Sequence, residues 1–575
     1  MASPVTAPGS GYRQRWRHRD RSLFLWVLLI AVLLVLVINP LARLLWSSFQ
    51  DPDTGALTLG NYAAAYGRWR HLEALINSIV IGLAAAAVGT VFGVPMAWAV
   101  SRTDMPGKGL VWAAILGTFI MPNYLGAIAW ILMAGPNAGW LNRVYTWLTG
   151  AAAGPFNVYT KVGLVLVIAC YSFPYMFVFT RSALDLISSE MEDAATTLGA
   201  GLLRTTVRVT LPLALPAILG AFIIVFLEAI AVFGAPALIA LPARFQVMTT
   251  MLWQMFEFPP RLEVAAAYSM PLLLITVSLF WLQHRIIARK GYVALTGKGG
   301  ERRIVTLGPW RWAMLGYCLL VTSLSFFLPM LVVLQAAFAK AWGRGFSLDN
   351  LTLRNVRFVL FDQPATRTAT INTFLYAGAA SAIALGLALA IAYVVARRLV
   401  PLHRGLSYVA MAPFVIPGIV LAIGFYAAYT TRPLVLYGTA WILILAFTTR
   451  FLPIAYTNSD AALRSINPEM EDAARILGSS RFLALRRIVG PLLKRGLAGA
   501  FILVFIPATR ELSSAIFLYT TGTQVLSVLL FDKSDEGNFE VLCSMGLILV
   551  VVTVAVVLVG FRLVGRDFML RRTAS

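Results

Sequence analysis

Twelve stretches of this sequence are apolar over about 20 residues or more, the length that carries a helix across a bilayer. In lipid, every backbone N–H and C=O must be satisfied inside the spanning element, so such stretches become helices rather than loops or open strands. They lie near 22–46, 74–100, 109–133, 161–183, 212–240, 264–286, 312–338, 371–396, 405–429, 436–457, 496–520 and 541–563. The fold class is therefore an all-α polytopic membrane protein of about 12 transmembrane helices. Only 13% of the 575 residues are charged, about half the share usual in a soluble domain. That excludes a cytosolic enzyme, a disordered chain and a secreted disulfide scaffold.

The few charges are lopsided, with 47 Lys+Arg against 25 Asp+Glu. Basic residues accumulate on the cytoplasmic side of membrane proteins. Arg13, Arg15, Arg17, Arg19 and Arg21 precede the first apolar run, which is too long for a signal peptide and lacks a clear cleavage site. The run is read as a retained first span with the N-terminus in the cytoplasm. Alternation then puts 101–108, 184–211, 287–311, 397–404, 458–495 and the C-terminal tail inside, and these segments hold most of the basic residues. The excess is topological: it implies membrane lipid as a partner and no nucleic acid.

The chain also repeats itself. Glu190-Met-Glu-Asp-Ala-Ala-Thr-Thr-Leu-Gly199 matches Glu469-Met-Glu-Asp-Ala-Ala-Arg-Ile-Leu-Gly478 at eight of ten positions. Leu75-Ile-Asn-Ser-Ile-Val matches Thr370-Ile-Asn-Thr-Phe-Leu more faintly, each opening the second span of its half. Six spans per half give both copies the same orientation, so the repeat is parallel. The expected organisation is a cytoplasmic tail over 1–21, a first unit over 22–286, a linker over 287–311, a second unit over 312–563 and a tail over 564–575.

Each repeated loop reads as a short, capped helix. Ser189 and Glu192 have the spacing of a capping box, and Asn467-Pro468 supplies a side-chain cap with proline in the first turn. Glu190, Glu192 and Asp193, like Glu469, Glu471 and Asp472, suit the positive end of the helix dipole. Gly199 and Gly478 supply left-handed stops. A surface connector need not repeat its sequence; a pair of docking knobs for a two-fold partner would.

These residues resemble the EAA loop of the ABC importer permeases, written E-A-A-x3-G-x9-I-x-L-P. Here Asp193-Ala194-Ala195 leads to Gly199 and then to Val209-Thr210-Leu211-Pro212. In the second copy Asp472-Ala473-Ala474 leads to Gly478 and Ile488-Val489-Gly490-Pro491. Asp stands for the first Glu in both, and Gly490 for the leucine. The resemblance covers essentially the whole chain, as two fused units of the type I importer permease fold. Arg510-Glu-Leu-Ser-Ser514, Gly522 to Ser527 and Ala412 to Gly418 look most like the ferric-iron branch. It implies import of a solute, ferric iron first and thiamine, polyamines or aminophosphonates otherwise. It also implies two copies of an ATP-binding cassette ATPase docked on the loops, and a periplasmic solute-binding protein on the opposite face. The setting implied is the bacterial inner membrane, with both termini cytoplasmic.

The sequence holds no Gly-x4-Gly-Lys-Ser/Thr, and Gly297-Lys-Gly-Gly300 lacks its spacing. ATP and Mg²⁺ would be used by the partner subunit; no cofactor, catalytic residue or resident metal is expected in this chain. Cys170, Cys318 and Cys543 sit far apart in apolar runs, and the four histidines are scattered. Glu228 in the fifth span and Arg510 and Glu511 in the eleventh are charges placed where burial is costly. Counted from the loop glycines, the two acids stand about one turn apart on a similar helix face. They either form an ion-pair network, with Arg510 reaching Glu228, or line the gate or pathway. Pro122, Pro174, Pro417 and Pro507 are expected to bend their spans gently, and Gly89-x3-Gly93 to permit close packing. A secondary transporter with two six-span halves would share the span count but not the duplicated acidic loops.

Overall fold

The computed structural model describes residues 23–257, 259–289, 304–534 and 536–564, and helices are its regular elements. The basic segment before the first span, the linker residues 290–303 and the tail from 565 lie outside the described residues. Among the described residues ten helices are long and apolar enough to span, or twelve when each of two sharply bent pairs counts as one. They are α1 (Leu23–Ser48), α2 (Trp69–Arg102), the bent α3 (Lys108–Ile120 with Asn123–Ala134) and α4 (Lys161–Leu186). The loop helix α5 (Ser189–Thr197) follows, then α6 (Leu202–Ala231), α7 (Leu262–Gln283), α8 (Trp310–Ala337) and α9 (Pro364–Ala396). The bent α10 (His403–Phe414 with Gly418–Tyr429), α11 (Ala440–Arg464), the loop helix α12 (Glu469–Ile476), α13 (Leu485–Thr509) and α14 (Phe539–Gly560) complete the set. All twelve apolar stretches are occupied by these helices.

Two of the prolines do more than the gentle kink expected of them. At Pro122 the two parts of α3 meet at 105°, and at Pro417 those of α10 meet at 110°. Proline drives the residue before it out of the helical region, and Met121 is extended, with ψ 125. Gly93 behaves as expected: a Cβ there would lie 2.8 Å from the Met176 Cβ, so α2 and α4 touch through it.

The described residues pack as two units, and neither is a sequence half. One joins Ile371–Thr523 to the described parts of Met1–Ser47 and Val552–Ser575. The other joins Ser48–Thr370 to Gln524–Val551. In the first unit α1 packs on α10 and α11. Pro40 has no N–H to offer the Leu36 carbonyl four residues earlier, and Thr449 Oγ1 donates to that carbonyl at 3.3 Å. Tyr429 donates likewise to the Val35 carbonyl. Gly424 makes room for the contact, since a Cβ there would sit 2.7 Å from the Pro40 carbonyl oxygen.

In the second unit the equivalent span, α8, packs on α3. Gly117 faces the Phe326 ring, 2.5 Å from where a Cβ would be, and Thr118 and Ser325 hydroxyls meet at 3.3 Å. A π-helical turn precedes proline in both first spans, at Leu34–Ile38 and Ser323–Phe327. Each first span thus belongs to the packing unit built around the other half.

Candidate functional site: two latched loop helices

The Ser188 hydroxyl accepts from the Glu190 N–H at 3.3 Å, and Asn467 Oδ1 accepts from the Glu469 N–H at 3.0 Å. These are matching positions of the repeat. The cap of the first copy is therefore Ser188 and not Ser189, and no capping box forms, because the Glu192 side chain turns inward. At the other end Gly199 and Gly478 adopt φ +81 and +88. The Ala200 N–H then reaches the Ala195 carbonyl and the Ser479 N–H the Ala474 carbonyl, both at 3.0 Å. That is the Schellman stop expected of glycine there.

Glu192 and Glu471 are buried, unlike the acids around them. Arg102, the last residue of α2, is 1% exposed and sends Nη1 to Glu192 Oε2 at 3.4 Å. Its Nη2 caps the Ile187 carbonyl at 2.7 Å and also reaches the Leu184 carbonyl, while Thr210 Oγ1 donates to Glu192 Oε1 at 2.7 Å. The second half of the sequence repeats the device. Arg397, just past α9, donates through Nε to Glu471 Oε2 at 3.0 Å, and the Tyr393 hydroxyl donates to Oε1. Each loop helix is thus latched by an ion pair, buried in the first copy and partly buried in the second, to the end of its half's second span. Sequence reasoning missed both arginines. Extending the faint repeat would have found them, since the register that sets Asn77 on Asn372 also sets Arg102 on Arg397.

With one acid turned inward, the rest of each helix faces out. Glu190, Asp193, Ala194 and Gly199 are exposed, as are Glu469, Asp472, Ala473 and Gly478; Ala195 is half-buried and Ala474 buried. Two leucines at matching positions, Leu198 at 89% and Leu477 at 88%, stand almost wholly free, joined by Met191 and Met470. Exposed apolar side chains ringed by acids mark a surface made for contact.

The charges assigned to the spans lie differently from expectation. Glu228 is on α6, near its end, and exposed. Arg510 and Glu511 follow the end of α13 at Thr509 and are not inside a helix. The one-turn relation between Glu228 and Glu511 therefore fails, because the chain leaves the helical path before reaching Glu511. Glu511 is 8% exposed; Arg450 Nε donates to its Oε2 at 2.9 Å, and Ser514 donates to Oε1 from its N–H at 3.0 Å and its hydroxyl at 3.1 Å. The Arg450 guanidinium in turn lies against Gly418, where a Cβ would be 2.5 Å from it. This pair ties the break after α13 to the bend of α10.

A polytopic chain with a twinned, latched loop helix is built as a multi-pass transport subunit. It belongs to the family described as the binding-protein-dependent transport system inner membrane component, matched over residues 21–292 and 382–566, and is an ABC importer permease. The ferric transport system permease protein FbpB of Actinobacillus pleuropneumoniae is 26% identical over 551 residues, covering 92% of this chain and 76% of that one. PhnV of Salmonella paratyphi A, named for 2-aminoethylphosphonate transport, is 28% identical over 228 residues, 40% of this chain and 85% of its own. Among solved structures, a bacterial ABC transporter involved in alginate import aligns with a TM-score of 0.40 at 16% identity, over 48% of this chain and 99% of that one.

Proposed function

We propose that the chain carries ferric iron, delivered by a periplasmic solute-binding protein, across the bacterial inner membrane under the power of a separate ATPase. The observation that carries the reading is the duplicated latch, an exposed helix fastened by an ion pair to the end of a span in each half. A helix held in this way passes a partner's motion to the span instead of absorbing it. Two ATP-binding cassette subunits would occupy the two helices, and ATP and Mg²⁺ belong to those subunits. Their closure would pull on 190–199 and 469–478, open the path outward to the docked binding protein, and reset after hydrolysis. In this orientation the loops and both termini are cytoplasmic. The permease is not itself an enzyme.

Fe³⁺ favours oxygen ligands, and a conduit needs them weak enough for release. Glu228, Arg510 and Glu511 are the groups proposed to gate or line its route. Likeness to the ferric permease in one alignment that runs through both halves, over 92% of the chain, supports iron. The test is ATP hydrolysis by the assembled complex in vesicles, with candidate binding proteins added. Stimulation by the Fe³⁺-loaded protein, with iron uptake, is the expected result. Stimulation only by a binding protein carrying another solute would replace the substrate. Uptake driven by an ion gradient without ATP would overturn the whole reading.

A further inference from the structure

Far from the latch, at the opposite end of α2, the second unit holds a polar cavity of about 450 Å³ lined by Arg70, Glu73, Asn77, Arg244, Gln246 and Gln254 among others. The 34 residues of α2 put roughly 50 Å between this cavity and Arg102. Its framework is part of the repeat. Asn77 Nδ2 donates to the Gln246 carbonyl at 2.9 Å, and Gln246 Nε2 donates to Gln254 Oε1 at 2.6 Å. In the other half Gln524 Nε2 likewise donates to Asp532 at 2.6 Å, and Asn372 Nδ2 donates at 3.3 Å to the carbonyl of Gly522, two residues before Gln524.

The cations are not repeated. Arg70 reaches Gln254 Oε1 at 3.2 Å, Lys161 holds Asn77 Oδ1 at 2.8 Å, and Arg244 lines the same space. In the registers of the repeat these three fall on Ala365, Ala440 and Gly522. The fold therefore needs none of them. Arg244 also has φ +60, a conformation that costs a side-chain-bearing residue and that glycine adopts freely. Two arginines line the space with one acid, Glu73, while Lys161 holds Asn77 in its wall, and one of those arginines is held there against its backbone preference. The Gln246 Oε1 is buried with no hydrogen-bond donor, so the site also lacks an O–H or N–H.

We propose that this cavity binds a small multivalent oxyanion carrying a hydroxyl, of which hydrogen phosphate is the simplest. The guanidinium groups would take the charged oxygens and Gln246 Oε1 the hydroxyl. A lipid headgroup offering phosphate and hydroxyl shares this chemistry, so the experiment separates the two sources. Thermal unfolding of the purified full chain in detergent is followed against inorganic phosphate, sulfate and phosphatidylglycerol at constant ionic strength. Wild type is compared with Arg70→Gln, Arg244→Gly and the distant control Lys340→Gln.

Arg244→Gly removes a cation while relaxing the backbone, so it is expected to fold at least as well as wild type. Phosphate should stabilise wild type and the control, with its midpoint weakened about tenfold or more in Arg70→Gln and Arg244→Gly. Sulfate, lacking the hydroxyl, should bind more weakly than phosphate. Phosphatidylglycerol that displaces phosphate and depends on the same arginines would identify the headgroup as the source of the anion. Stabilisation by neither anion nor lipid, equal stabilisation of Arg244→Gly and wild type, or sulfate binding as tightly as phosphate would overturn the proposal.

Discussion

Replacing Arg102 with methionine keeps most of the side-chain volume but removes the cation from a pair in which both partners are almost fully buried. Glu192 then loses its guanidinium partner, and the Ile187 carbonyl loses its donor. Removing one member of a buried ion pair costs about 3–5 kcal/mol. A helix of α5's length has little stability of its own, so the cost falls on the docking of α5 and not on the spans. About 3 kcal/mol corresponds to roughly a hundredfold rise in local opening. Hydrogen–deuterium exchange of the peptide covering 188–200 reads that opening directly. The expected result is exchange faster by about two orders of magnitude there, with 467–479 unchanged, since its latch is separate. Arg397→Met should give a smaller effect at 467–479, because Arg397 is 14% exposed and water can compensate part of the loss. Exchange at 188–200 within about threefold of wild type would refute the idea that the ion pair holds the helix.

Four further outcomes follow from the geometry. At Gly199→Ala and Gly478→Ala the added Cβ meets no atom within 4 Å, so the cost is the left-handed backbone alone, about 1–2 kcal/mol each, and asparagine should be tolerated better; retention of the ATPase on purification measures this. Leu198→Asp with Leu477→Asp should abolish ATPase retention while leaving the melting temperature of the permease alone unchanged. Gly424→Ala should unseat α1, because its methyl would meet the Pro40 carbonyl, and a fall in melting temperature with faster exchange over 30–45 is the sign. Glu511→Gln should weaken the link to Arg450 and slow solute uptake in vesicles; a folded variant with unaltered uptake would remove Glu511 from the proposed pathway.

The spans and loop helices were legible because their signals are local. Twelve apolar runs, an acid-rich first turn and a glycine stop each act over a few residues, and the repeat certified them. The inward turn of Glu192 was not legible, since its partners Arg102 and Thr210 lie 90 and 18 residues away and belong to other helices. The same holds for Glu511, whose meaning depends on where α13 stops. An apolar span continued to 520 in the sequence, but the helix ends at Thr509 and a short helix resumes at Ala515–Leu518. Hydropathy records what lipid or protein will tolerate around a segment, not whether the backbone stays helical through it. The exchange of first spans was hidden for a related reason. An apolar face states that a helix must pack, and the identity of its neighbour comes from Pro40, Gly424 and Thr449 together.

That exchange has a consequence for synthesis. α1 leaves the ribosome ahead of α10 and α11, and Tyr429 and Thr449, whose hydroxyls donate to its carbonyls, are made some 400 residues later. At about 5–20 residues per second the delay is roughly 20–80 s. Through that interval α1 sits in the bilayer without its mates, with the backbone around Pro40 lacking the hydroxyls that will serve it. The nascent chain must therefore be sheltered, by the insertion machinery or by lipid, throughout that interval. Neither half, made alone, would contain the pieces of even one finished unit.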